Sequence, residues 1–123
     1  MNGKENVLKE KSFQFSVRSV KLYKYIIESK KEFVLSKQLL RSSTAIGALI
    51  REAQNAESKL DFVHKLGIAQ KECDETLYWL ELLKTTGYLT PKEYKNIYDE
   101  ASSLLKMLRS AILTTKQKTR QNS

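Results

Sequence analysis

Glu72 and Glu75 stand three residues apart, the spacing at which one helix face presents two carboxylates together. Such a pair is half of the donor set that an all-helical, magnesium-dependent nucleotide pyrophosphohydrolase would use. Magnesium needs hard oxygens converging on one point. The following helix offers Glu93, Asp99 and Glu100, but never as acid-x-x-acid. A carboxylate-bridged di-metal bundle needs Glu-x-x-His pairs; His64 is the only histidine, and neither Glu72 nor Glu75 has one three residues on. Cys73, the only cysteine, has no partner for zinc or a disulfide and reads as a small buried hydrophobe. His64, beside Lys65, reads as a surface residue. Trp79 in "YWLELL" could stack on a base, but its helical spacing points to core or interface. These residues assign no catalytic residue, metal, cofactor or small-molecule substrate, and the chain is read as non-enzymatic.

The second chemical candidate is "QLLRSSTAIGALIREAQ", residues 38–54, where Ser42, Ser43, Thr44, Ala45, Gly47 and Ala48 crowd between Arg41 and Arg51. A phosphate-binding P-loop needs several glycines before a Lys-Ser/Thr pair, and a lone Gly47 fails that test. Leu35, Leu39, Ile46, Ile50 and Ala53 keep helical spacing straight through the run. The stretch is therefore a helix whose small side chains let a neighbour approach closely. Arg41, Ala45, Ala48 and Glu52 share a flank of it. Glu72 lies among Ile68, Trp79 and Leu83, and a carboxylate there needs a partner. The expectation is one buried polar network of Arg41, Glu52 and Glu72.

Positioning these groups takes four helices. The first spans roughly 11–29, with Phe13, Ser16, Val20, Tyr23 and Ile27 as its core stripe and Phe15, Leu22 and Ile26 as a second apolar strip. The second strip reads equally as a rim contact under a loop or as a subunit interface. A charged turn, Ser29 to Glu32, leads into a second helix over 33–56. The third, over 58–86, starts at a Ser58/Asp61 cap and stops at Gly87. Its core stripe is Phe62, Leu66, Ala69, Cys73, Leu77 and Leu80. The fourth begins at Thr90-Pro91, with Glu93 at the third helical position. The fold expected is all-α: a single-domain, up-down-up-down antiparallel four-helix bundle. Residues 1–10 read as an arm, 11–115 as the bundle, and 116–123 as a frayed basic tail.

The 123 residues suit one domain, and 41% hydrophobic content argues against wholesale disorder. No apolar stretch is long enough to span a bilayer and no signal peptide is evident, so the expected location is cytoplasmic, without a membrane partner. The net charge of +8 is uneven. Residues 1–56 carry eleven basic and five acidic side chains, 57–89 four and six, and 90–123 seven and three. A basic excess attracts nucleic acid or acidic partners without choosing among them. Lys11, Arg18, Lys21, Lys24 and Tyr25 on the first helix, with Lys116, Lys118 and Arg120 in the tail, are the candidate RNA contacts.

The blocks "KLYKYI", "LSKQLLRSSTAIGALIREA" and "DFVHKLGIAQKECDETLYWLELLKTTGYL" resemble those of the bacterial 23S rRNA intervening-sequence proteins, often grouped as a ribosomal protein family. The resemblance covers about 11–115. It places the family's Gln-Leu-x-Arg block on Gln38, Leu39 and Arg41, and its small-residue and Ile-Gly segment on Ser43 to Gly47. Its Glu-Ala pair falls on Glu52 and Ala53, and its Asp-Phe start on Asp61 and Phe62. Lys71, Glu72, Glu75, Thr76 and Tyr78 to Leu80 carry the rest. Where members commonly read Ala-Asn-Ile, this chain has Ala48-Leu49-Ile50. The resemblance implies a ring-like homopentamer without established catalytic activity, and makes Phe15, Leu22, Ile26, Ala45, Ala48 and Trp79 its expected interface. A related branch of the family that this chain resembles, the accessory variability proteins of diversity-generating retroelements, consists of basic pentamers that bind a reverse transcriptase and nucleic acid. The function expected is a homo-oligomer whose basic surface meets RNA or a nucleic-acid-handling protein; the alternative is a protein-interaction adaptor.

Overall fold

The computed structural model describes residues 3–121, and the first two positions of the expected arm and the last two of the tail lie outside them. Four helices pack around one core: α1 (Gly3–Tyr25), α2 (Leu35–Gln54), α3 (Lys59–Thr85) and α4 (Pro91–Gln121), with no strand among the described residues. A π-helical turn, Ile26–Lys30, finishes α1. Two boundaries differ from expectation. Residues 3–10 are helical and bury Leu8, and α4 continues regularly through 116–121.

The inward face of α1 also differs. Leu8, Ser12, Phe15, Ser19, Leu22 and Ile26, spaced four and three apart, point to the core, and Phe15 and Ile26 are wholly buried. Phe13, expected inside, is 55% exposed, and Ser16, Val20, Tyr23 and Ile27 are half-buried. Serines occupy core positions here because each hydroxyl bonds its own helix: Ser12 to the Lys9 carbonyl at 3.0 Å and Ser19 to that of Phe15 at 2.9 Å. A buried hydroxyl satisfied in this way carries no orphan-donor penalty.

On α2 the small-residue run lets both neighbours in. A side-chain carbon at Gly47 would meet Ser16 Oγ at 3.0 Å and the Ser12 carbonyl oxygen at 3.4 Å, so α1 crosses against bare backbone. Toward α3, the buried Thr76 hydroxyl donates to Ser42 Oγ at 3.0 Å. The helix begins on a carboxylate: Glu32, in the turn before it, accepts the N–H groups of Val34, Leu35 and Ser36 at 3.0, 2.8 and 2.7 Å. Burial pushes its pKa up, but those three donors outweigh burial and hold it below the usual carboxylate value.

The other caps follow their sequence signals. Ser58 accepts the Asp61 N–H, while the shorter Asp61 side chain accepts the N–H of Glu57 rather than of Ser58. At the end of α3, Tyr88 N–H reaches the Leu83 carbonyl and Gly87 N–H that of Lys84, with Gly87 at φ +89°, a Schellman ending. Thr90 and Glu93 cap α4 reciprocally at 3.1 and 2.9 Å. Leu66, Leu80, Leu104 and Leu108 complete the core.

Candidate nucleic-acid interface

The first turns of α4 lie beside the last turns of α1, and a groove of about 500 Å³ runs between them. Leu22 and Ile97 supply its apolar lining, Arg18, Lys21 and Lys92 its cationic groups, and Asn96 an amide. Two contacts across the seam hold it. Arg18 Nη1 donates to Glu100 Oε1 at 2.6 Å, and the Tyr25 hydroxyl donates to Glu93 Oε2 at 2.5 Å. Glu93 is held below the usual carboxylate range, first by the Thr90 N–H and then by the Tyr25 hydroxyl. The same bond raises the Tyr25 phenol. Lys30 Nζ sits 5.7 Å from the Tyr25 ring centre, a cation–π contact between residues five apart. Lys21 and Lys92 make no ion pair among the described residues.

The structure brings together only part of the expected basic set. Arg18, Lys21 and Tyr25 line the groove, whereas Lys11 and Lys24 are exposed on α1 and form no part of its lining. Lys116, Lys118 and Arg120 are exposed near the far end of α4. Lys118 is 26 residues past Lys92 on that helix, about 39 Å at 1.5 Å per residue. Lys118 instead lines a smaller groove with Glu5 and Phe62. Lys92 and Asn96 line the groove without having been among the candidate contacts. The Thr90-Pro91 start placed both in the first turns of α4, but only tertiary structure sets that turn beside Tyr25.

A family model described as 23S rRNA-intervening sequence protein matches residues 4–110. The chain belongs to that family. A crystal structure from Bacteroides thetaiotaomicron, of a protein with unknown function from the S23 ribosomal protein family, is similar to this family member, with 53% identity and a TM-score of 0.87. The match covers 89% of this chain and 97% of that one. No curated protein matches the chain.

In this 23S rRNA-intervening sequence family member the expected polar network has a different third member and lies at the surface. Arg41 Nη1 donates to Glu72 Oε2 at 3.0 Å and Nη2 donates to Glu75 Oε1. Trp79 Nε1 donates to the same Glu75 oxygen at 3.1 Å. Glu52 is exposed and takes no part; it lines a groove with Phe13, Ala48 and Arg51 instead. Both acids of the Glu-x-x-Glu pair thus face one guanidinium. Burial and the neighbouring Glu75 raise the Glu72 carboxyl, while the Arg41 bond lowers that of Glu75.

The signs separate the two acids. A raised carboxyl contributes stability below its unfolded pKa and loses it as pH rises through the folded one; a lowered carboxyl loses its contribution as pH falls. In melts at pH 7, Glu75→Gln should therefore cost about 0.5–1 kcal/mol, as expected of a part-exposed pair. Glu72→Gln should stay within about 0.5 kcal/mol of the parent. Equal losses from both would refute the division of roles.

The remaining candidates sort by burial. Phe15 and Ile26 belong to the subunit core rather than to an interface, and Leu22 and Trp79 are half-buried against that core. Trp79 also packs edge-on against Tyr78, with ring centres 5.0 Å apart. Ala45 is half-buried and Ala48 exposed. Phe13 and Val17 are exposed on α1, with Arg51 of α2 stacked 5.5 Å over the Phe13 ring. Cys73 is buried, donates to the Ala101 carbonyl, and burial pushes its pKa up to about 12. His64 is exposed. Among the described residues, no three His, Cys, Asp or Glu side chains cluster as a metal site would require, and no helix is long and apolar enough to cross a membrane.

Proposed function

We propose that this chain is a cytoplasmic, non-enzymatic homo-oligomer that binds RNA through the basic groove between α1 and α4. The observation that carries the reading is the meeting of Arg18, Lys21 and Tyr25 from one helix with Lys92 and Asn96 from another. Cations converging from two elements on one groove suit a phosphate backbone better than a stripe on a single helix does. Two further observations support the non-enzymatic part of the reading: Glu72 and Glu75 are paired with Arg41, and the Cys73 thiol is buried.

The subunit is read as an up-down-up-down antiparallel bundle. The pairs Gln54 with Glu5, Tyr25 with Glu93 and Arg18 with Glu100 support it, each joining the start of one helix to the end of another or lying on that diagonal. Assembly into a ring-like oligomer, a pentamer by the family resemblance, is assigned to the exposed Phe13, Val17 and Ala48. Apolar side chains grouped at a surface are what an interface requires.

Fluorescence anisotropy of a structured RNA across a salt series tests the reading. A groove that neutralises two or three phosphates should lose affinity roughly 10- to 40-fold between 50 and 200 mM salt. Lys21→Glu combined with Lys92→Glu should flatten the log–log slope by about two. Absence of binding at low salt would overturn RNA recognition. The reading would then move to the protein-interaction adaptor, an oligomer whose basic face meets an acidic or enzyme partner.

A further inference from the structure

Resting on that reading, we infer that the α1–α4 groove takes an unpaired nucleotide, its base in the slot and its flanking phosphates on Lys21 and Lys92. A groove serving only a duplex backbone needs cations at its rim and nothing else. This one also has an apolar interior, from Leu22 and the buried Ile97, with an aromatic ring at its edge. Apolar surface of this kind is wasted on phosphate and suits the faces of a base, which single strands offer and duplexes hide.

The polar groups fit the same occupant. Asn96, exposed at the start of α4, carries a donor and an acceptor side by side, as a base edge does. Glu93, ionised and only partly used by Thr90 and Tyr25, adds an acceptor for an amino or imino N–H of the base or for a ribose hydroxyl. A carboxylate in a groove meant for phosphate alone would repel its ligand; opposite a base donor it contributes a hydrogen bond. The bond from Tyr25 to Glu93 fixes the ring against the opposite helix, so the slot exists before any ligand arrives and little ordering is needed to use it.

The test compares a fluorescein-labelled twelve-nucleotide single-stranded RNA with the duplex of the same sequence, at one salt concentration, on the intact protein. The single strand should bind at least tenfold more tightly than the duplex. Tyr25→Leu, which keeps the apolar bulk and removes the ring, should weaken the single strand roughly five- to hundredfold and leave the duplex unchanged. Asn96→Ala, on an exposed side chain, should weaken the single strand several-fold, and it provides the second variant should Tyr25→Leu not fold. Equal affinity for both RNAs, unmoved by either variant, overturns the slot and leaves the basic groove standing. No binding of either RNA at low salt overturns both the slot and RNA recognition.

Discussion

Truncating Phe15 to alanine should cost the folded subunit about 3–5 kcal/mol, whereas Phe13→Ala should leave the subunit's stability within about 1 kcal/mol of the parent. The two rings sit two residues apart on α1, and an apolar count along the sequence cannot rank them. Phe15 is fully enclosed by the core, so its removal loses the transfer energy of a whole ring and leaves a cavity. Phe13 keeps 55% of its surface open and touches Arg51, so the isolated subunit loses little. Single domains retain only about 5–15 kcal/mol in total. Phe15→Ala therefore threatens folding itself, while Phe13→Ala should act on assembly. Urea titrations read the first effect and sedimentation velocity the second. A larger loss of subunit stability from Phe13→Ala than from Phe15→Ala would mean that α1 is rotated about its axis relative to this structure.

The second large effect is expected at Gly47. Mid-helix glycine costs about 0.8–1.0 kcal/mol relative to alanine, so its presence calls for a reason, and the crossing of α1 supplies one. Gly47→Ala gains helix propensity but brings a carbon 3.0 Å from Ser16 Oγ. That hydroxyl, bonded to the Ser12 carbonyl, can rotate aside, so the net change should be near zero. Gly47→Val adds two branches against the Ser12 backbone, which cannot move without α1 moving. Overpacking of this kind costs about 1–3 kcal/mol. Ser16→Ala in the same chain should recover part of the loss, a coupling of about 0.5 kcal/mol or more. Thermal melts of Gly47→Ala, Gly47→Val, Ser16→Ala and the Gly47→Val/Ser16→Ala double variant settle it. A Gly47→Val protein as stable as its parent would mean that the helices do not approach as described.

How much of this was legible before the structure differed from helix to helix. On α2 and α3 spacing alone identified the core: Leu39, Ile46, Ile50, Ala53, Leu66, Ala69, Cys73 and Leu80 are all buried, and on α2 that apolar stripe outweighs the buried Ser36, Ser42 and Ser43 beside it. On α1 the core face includes Ser12 and Ser19. The expected stripe also holds a serine, Ser16, so two apolar strips of similar make-up compete on α1 and spacing alone favoured the Phe13 side. Polarity misleads when a hydroxyl bonds to its own helix, because burial then costs almost nothing. The caps were legible because they depend on neighbours in sequence. Glu32 was not, because its donors are the free N–H groups of a helix start that composition does not mark. The groove was half legible: the α1 residues form a visible stripe, while Lys92 and Asn96 join it only through packing. For Arg41 the partner Glu72 was identified correctly, but Glu75 rather than Glu52 completes the set, a choice made by how α2 and α3 face each other.

The widened turn at Ile26–Lys30 has a consequence for how chains of this kind can diverge. In a regular α-helix, residues five apart are rotated about 140° from one another, so Tyr25 and Lys30 would look away from each other. The wider turn brings the ammonium of Lys30 back over the ring, and such turns are the local form that one inserted residue takes in an α-helix. What stands over the aromatic wall of the groove is therefore decided by chain length at that point as much as by residue type. A single deletion between Ile26 and Lys30 would change the groove's charge without altering any residue that lines it. Insertions and deletions, which position-by-position substitution never samples, are thus a second axis along which ligand preference could be tuned.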